Sequence, residues 1–150
     1  MRNYYRVTTK QLGELLIERG IINQGQLERA IDYQKKHPGP LLGEILVDMN
    51  YAAEQDIVQA ITAQYGFPYL PLGNYEIEQE IIASLPENIC REFCLIPIDK
   101  IGKSLTIAMS NPLNTQVIQQ IEQTTGCMVQ VFVSTATDIK KTIDKYYKSS

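Results

Sequence analysis

The sequence predicts an α+β chain: an N-terminal four-helix tandem-repeat subdomain over residues 1–66, followed by a small α/β subdomain over 67–150 with a three-stranded, mainly antiparallel sheet. Two observations carry this expectation. The first is an internal repeat at an offset of 30 residues, in which Leu12-Gly13-Glu14-Leu15-Leu16-Ile17-Glu18-Arg19-Gly20 aligns with Leu42-Gly43-Glu44-Ile45-Leu46-Val47-Asp48-Met49-Asn50. Seven positions are identical: Leu12/Leu42, Gly13/Gly43, Glu14/Glu44, Leu16/Leu46, Ala30/Ala60, Ile31/Ile61 and Gln34/Gln64. A repeat of this length marks a supersecondary unit that buries its apolar face against its neighbour, and two copies make a pair of helix pairs. The second is a change of period after Pro68, from helical spacing to short apolar runs bounded by Gly and Pro.

Each element follows from local chemistry. Leu12, Leu15, Leu16 and Ile17 form the apolar face of a short helix, with Thr8 or Thr9 as its cap and Gly20 at the left-handed position after its end. Asn23 and Gln26 have the spacing of a capping box, opening a helix whose face carries Leu27, Ala30, Ile31 and Gln34. Pro38-Gly39-Pro40 ends it. The second copy repeats the plan with a short helix over 42–49, Asn50 in place of Gly, and a long helix over 54–65 with Ile57, Ala60, Ile61 and Gln64 on one face. Ala53 stands where a capping Ser or Thr would be expected, a weakness of about 1 kcal/mol.

Beyond Pro68, residues 69–72 read as extended, 78–84 as a helix, and Pro86 as the start of another through Phe93. Residues 95–99 and 105–109 flank Lys100-Ile101-Gly102-Lys103 as a β-hairpin. Asn111-Pro112 turns into a helix ended by Gly126, 128–133 is a strand, and Thr135 caps a last helix ending near Tyr146-Tyr147.

Composition restricts the function classes. A chain of 150 residues buries roughly 70% of its unfolded surface, enough for one good core or two small ones. Hydrophobic residues are 44%, charged residues 21% and the net charge is −3. This mild acidity argues against binding driven by charge to nucleic acid or to an anionic membrane. No apolar run approaches the roughly 18 residues of a membrane span, so no direct membrane insertion is expected. Cys90, Cys94 and Cys127 form no even disulfide framework and no Cys-x-x-Cys motif, and with a single His37 no metal-ligand set can be assembled. Buried reduced thiols are the expectation.

Catalytic patterns are looked for and not found. Gly102-Lys103-Ser104 matches the tail of a phosphate-binding loop, but the glycine required five residues earlier is Pro97, and the segment joins two strands instead of opening a helix. Ser and Thr sit at caps and turns with no general base in sight. Glu14, Glu18, Glu44 and Asp48 lie on outward helix faces. The chain reads as a binding or docking module with no cofactor, not an enzyme.

The doubled Leu-Gly-x-x-Leu motif closed by a helix ending in Gln resembles the N-terminal domain of type II secretion and type IV pilus assembly ATPases. Tyr65-Gly66-Phe67-Pro68-Tyr69, Leu85-Pro86-Glu87, Ile96-Pro97-Ile98, Leu105-Thr106-Ile107-Ala108-Met109 and Asn111-Pro112-Leu113 are similar to that family as well, so the resemblance covers nearly the whole chain. It implies a domain that precedes a hexameric ATPase motor and docks on the cytoplasmic part of an inner-membrane platform protein. The location implied is cytoplasmic, peripheral to the inner membrane through that partner. A stand-alone signalling adaptor is a further expectation.

In a subset called MshEN domains, the resemblance implies a tandem motif that binds cyclic di-GMP. The two-fold ligand would meet two half-sites: Gln11, Leu12, Gly13, Leu16, Ile17 and Gln34 from one copy, and Leu41, Leu42, Gly43, Leu46, Val47 and Gln64 from the other. Gly13 and Gly43 would admit ligand close to the backbone, the aliphatic residues would offer contact, and Gln34 and Gln64 could hydrogen-bond it. The binding motif of that subset begins Arg-Leu-Gly, and here Gln11 and Leu41 replace both arginines. Losing two charge-assisted bonds weakens such binding by roughly 10²- to 10⁴-fold. Docking is therefore the leading expectation and cyclic di-GMP the alternative.

Overall fold

The computed structural model describes residues 12–147, which divide into two compact units meeting between Gly66 and Phe67. In the first unit, a helix over 12–18 (α1) leads to α2 (Gln24–Lys36), α3 (Leu42–Asp48) and α4 (Glu54–Tyr65). The expected caps are present. Asn23 accepts from the Gln26 N–H at 2.9 Å while Gln26 Oε1 accepts from the Asn23 N–H at 2.9 Å, closing the capping box. Ala53 opens α4 with no side-chain cap. Thr8, Thr9 and Gln11 lie outside the described residues.

Both short helices end in the same way. Gly20 (φ +72°) and Asn50 (φ +61°) take the left-handed conformation after α1 and α3. Ile21 N then donates to Leu16 O at 2.9 Å, and Tyr51 N to Leu46 O at 2.9 Å, the six-to-one bond that satisfies a helix-end carbonyl. Burial repeats as well: Leu12, Leu15, Leu16, Leu27 and Ala30 are buried, and so are Leu42, Ile45, Leu46, Ile57 and Ala60. The copies differ at several core positions: Ile61 is fully buried and Ile31 only half so, Val58 is buried where Glu28 is exposed, and Ile22 is buried where Ala52 is half-buried.

The second unit runs α5 (Gln79–Ile82), α6 (Glu87–Phe93), β1 (Leu95–Ile101), β2 (Ser104–Met109), α7 (Thr115–Thr125), β3 (Met128–Val133) and α8 (Ala136–Tyr146). The expected helix over 78–84 is a single turn. Leu85 precedes Pro86 and is pushed out of helical conformation, so the chain turns at Ala83-Ser84. Pro86 serves as N-cap of α6, and Cys94 (φ +52°) swings the chain from α6 into β1.

The three-stranded sheet is present and is mixed, in the order β1-β2-β3. The β1–β2 hairpin is antiparallel and β3 lies parallel to β2. The parallel pairing follows from α7, because a strand returning beside β2 after a crossover helix must run the same way. β1 is an outer strand, the place where a sheet tolerates the buried Pro97, and its register shifts between Pro97 and Asp99. On the other side, Pro68–Leu70 pairs with the end of β3: Val133 N donates to Pro68 O at 2.9 Å and Leu70 N to Val133 O at 3.0 Å. Further up that edge, the Val129 N–H is taken by Glu122 Oε2 at 3.1 Å. Helices α5, α6 and α8 pack against β1 and α7 against β3, around Leu95, Ile96, Leu105, Ile107, Met109, Val133, Ile139 and Ile143. Thr135 caps α8 by accepting from the Asp138 N–H, as its position before the helix predicts.

Candidate functional site

The doubled motif is assembled by a close crossing of the short helix of each copy over its own long helix. A Cβ built on Gly13 would stand 2.8 Å from both terminal methyls of Leu27. At the equivalent place in the second copy, a Cβ on Gly43 would meet Ile57 Cδ1 at 3.8 Å and Leu12 Cδ2 at 3.9 Å. Each motif glycine thus faces the residue fourteen positions on, and at Gly13 the absence of a side chain is what makes room for Leu27. The contact is tight in the first copy and ordinary in the second.

The other residues expected to form a site divide by exposure. Leu12, Leu16, Leu42 and Leu46 are buried core, as is Gly13. Ile17, Leu41, Gly43 and Val47 are half-buried. The two glutamines have different tasks. Gln34 Nε2 donates to Pro40 O at 3.3 Å and ties the end of α2 to the linker that enters the second copy. Gln64 is exposed near the end of α4. Gln11 lies outside the described residues.

Sequence reasoning did not find the aromatic device in that linker. Tyr33 and His37 stack one turn apart with ring centroids 4.1 Å apart, and the His37 imidazole lies 3.2 Å from Tyr33 O. The i, i+4 spacing of two aromatic rings at a helix end was the available signal. Among the described residues no three His, Cys, Asp or Glu side chains gather as a metal site, and no helix is long and apolar enough to cross a membrane. All three cysteines are buried and without a disulfide. The turn Gly102-Lys103 joins β1 to β2, so the phosphate-loop pattern is a hairpin turn.

Two Gly-bearing helix pairs followed by a small mixed-sheet unit define an N-terminal module of the kind carried by type II secretion and type IV pilus assembly ATPases. The MshEN domain model matches residues 65–150, and the chain belongs to that family. It is 29% identical over 137 residues to the type IV pilus assembly ATPase PilB of Myxococcus xanthus, covering 91% of this chain and 24% of that protein. Against PilB of Thermus thermophilus it is 31% identical over 140 residues, covering 92% and 16%. The chain thus spans a quarter or less of these relatives.

Among solved structures, MshE with cdg is 26% identical with a TM-score of 0.67, covering 91% of this chain and 98% of that one. The N-terminal domain of XpsE has a TM-score of 0.73 over 97% of both chains, and at 21% identity this likeness speaks for the fold.

Proposed function

We propose that this chain is a non-catalytic docking domain of a type II secretion or type IV pilus ATPase, holding the hexameric motor to an inner-membrane platform protein through that protein's cytoplasmic part. The observation that carries the reading is how far the doubled motif is committed to itself. Gly13 seats one helix against Leu27, Gln34 holds the linker, and four of the leucines are core. This leaves the half-buried Ile17, Leu41 and Val47 and the exposed Gln64 to meet a partner. The test is capture of the platform protein's cytoplasmic domain by the immobilised chain. Retention is expected, and no retention in a system that encodes such a partner overturns the reading. A stand-alone adaptor would capture other signalling proteins in its place.

A second reading is cyclic di-GMP binding, and a specific observation favours it: the likeness to MshE with cdg, taken as cyclic di-GMP, spans nearly the whole chain. The second copy is the more open half-site, since Gly43 has no neighbour closer than 3.8 Å and Gln64 is exposed. In this reading Ile17 and Gln34, with Gln11, meet one guanylate and Leu41, Gly43, Val47 and Gln64 the other, while the buried Leu12, Gly13, Leu16, Leu42 and Leu46 support them from the core. Titration calorimetry decides it. Heat of binding at about tens of micromolar ligand supports the site, and none rules out signalling-grade affinity.

A further inference from the structure

The last turn of α8 is held differently from the rest of that helix. Its apolar burial ends at Ile143; Ile139, Thr142 and Ile143 are the buried residues of α8. Beyond them, polar contacts fix the turn to the segment 77–91. Asp144 pairs with Arg91 Nη1 at 2.9 Å, and the same guanidinium bonds Glu87 at 2.7 Å. The Tyr146 hydroxyl accepts from the Ile77 N–H at 3.0 Å. The Tyr147 hydroxyl lies 2.8 Å from Ile82 O, 3.0 Å from Leu85 O and 3.4 Å from Cys90 Sγ.

The donors and acceptors around Tyr147 balance. One phenolic proton is shared between two carbonyls at the α5–α6 turn, while the Cys90 thiol donates to the phenolic oxygen. Ile82 ends α5 and its carbonyl also takes the Leu85 N–H at 3.5 Å, whereas the Leu85 carbonyl lies between the two helices, outside either ladder. Cys90 beneath the ring is 0% exposed, and Leu85 is 2% exposed.

We propose that residues 144–147 form a latch that opens locally, swinging the last turn of α8 away from the α5–α6 turn while Ile139 and Ile143 stay in the core. The exposed ion pair contributes little and both tyrosines are only half-buried, so opening this turn uncovers less apolar surface than unfolding the whole unit. The surface uncovered is at Leu85 and Cys90, and the Leu85 carbonyl loses its Tyr147 partner. The latch fixes the path of the chain at Tyr147 when closed and frees it when open. This inference does not depend on the docking reading.

Cys90 is a built-in reporter, because a thiol reagent reaches it only when the latch opens. The experiment measures labelling rates in the whole chain with a small aromatic disulfide, using two single-cysteine backgrounds: Cys94→Ala with Cys127→Ala, and Cys90→Ala with Cys94→Ala. Cys127, buried before β3, reports global unfolding of the unit. Tyr147→Phe keeps the ring and removes the hydroxyl, and it should speed Cys90 labelling about tenfold or more relative to Cys127. Asp144→Asn, which removes only the exposed pair, should speed it by about twofold at most. In the unsubstituted latch, Cys90 labelling should rise less steeply with urea than Cys127 labelling, since local opening exposes less surface. Equal urea slopes at the two thiols, or equal acceleration of both by Tyr147→Phe, would overturn the latch and make this turn part of a single cooperative unit.

Discussion

Gly13 and Leu27 approach so closely that a single added methyl would drive into both Leu27 terminal methyls at 2.8 Å, whereas the equivalent Gly43 and Ile57 leave 3.8 Å. Gly13→Ala should therefore destabilise the first unit by about 1–3 kcal/mol, as Leu27 leaves its packed position. Gly43→Ala should be neutral or stabilise by up to about 1 kcal/mol, because alanine fits there and favours helix. Urea unfolding of the two variants checks the contrast; equal effects would show that the copies pack alike.

The helix caps supply a second pair of expected outcomes. Asn23→Ala removes the acceptor for the Gln26 N–H and half of the capping box, and should cost about 1 kcal/mol. Ala53→Ser adds a cap where α4 has none and should stabilise by a similar amount. Melting temperatures of the two variants should move in opposite directions.

Much of the architecture was legible in the sequence because its signals are local. The Asn23/Gln26 spacing, the glycine stops and Thr135 each act within a few residues, the 30-residue repeat doubles the local pattern, and all are found as expected. What was not legible depends on distant partners. Gln34 and Gln64 stand at equivalent places in the two copies, and the repeat does not show that one donates to the Pro40 carbonyl while the other is exposed. Tyr147 reads in the sequence only as the end of the last helix, yet its hydroxyl meets carbonyls more than sixty residues away. The direction of β3 also depends on how the crossover helix α7 brings the chain back.

Alkaline stability should depend on Cys90. Burial pushes its thiol up from 9.0 to about 11, with the Tyr147 bond a smaller opposing effect. Burial also raises Tyr147, with Cys90 adding to the shift. A raised folded pKa means that the fold favours the protonated thiol. This contribution is complete below pH 9, the unfolded value, and is lost as pH rises through about 11. The loss is on the order of 2 kcal/mol. Melting temperature followed across this window should fall less steeply in Cys90→Ala than in the unsubstituted chain.

Glu122 protects the open side of the sheet. Its carboxylate occupies the Val129 N–H, which would otherwise offer a donor to a foreign strand. Glu122→Ala should raise self-association of the chain, read by light scattering on concentration. Glu122→Gln retains an acceptor oxygen and should stay close to the parent.

On the opposite side, Pro97 brings a consequence for the width of the sheet. An imino residue in the outer strand, followed at once by a register shift, gives any strand arriving beside β1 an interrupted row of donors. With Glu122 and Pro68–Leu70 guarding the far edge, the sheet is closed to growth from both flanks. Copies of such a unit that meet edge to edge find no unbroken ladder to join.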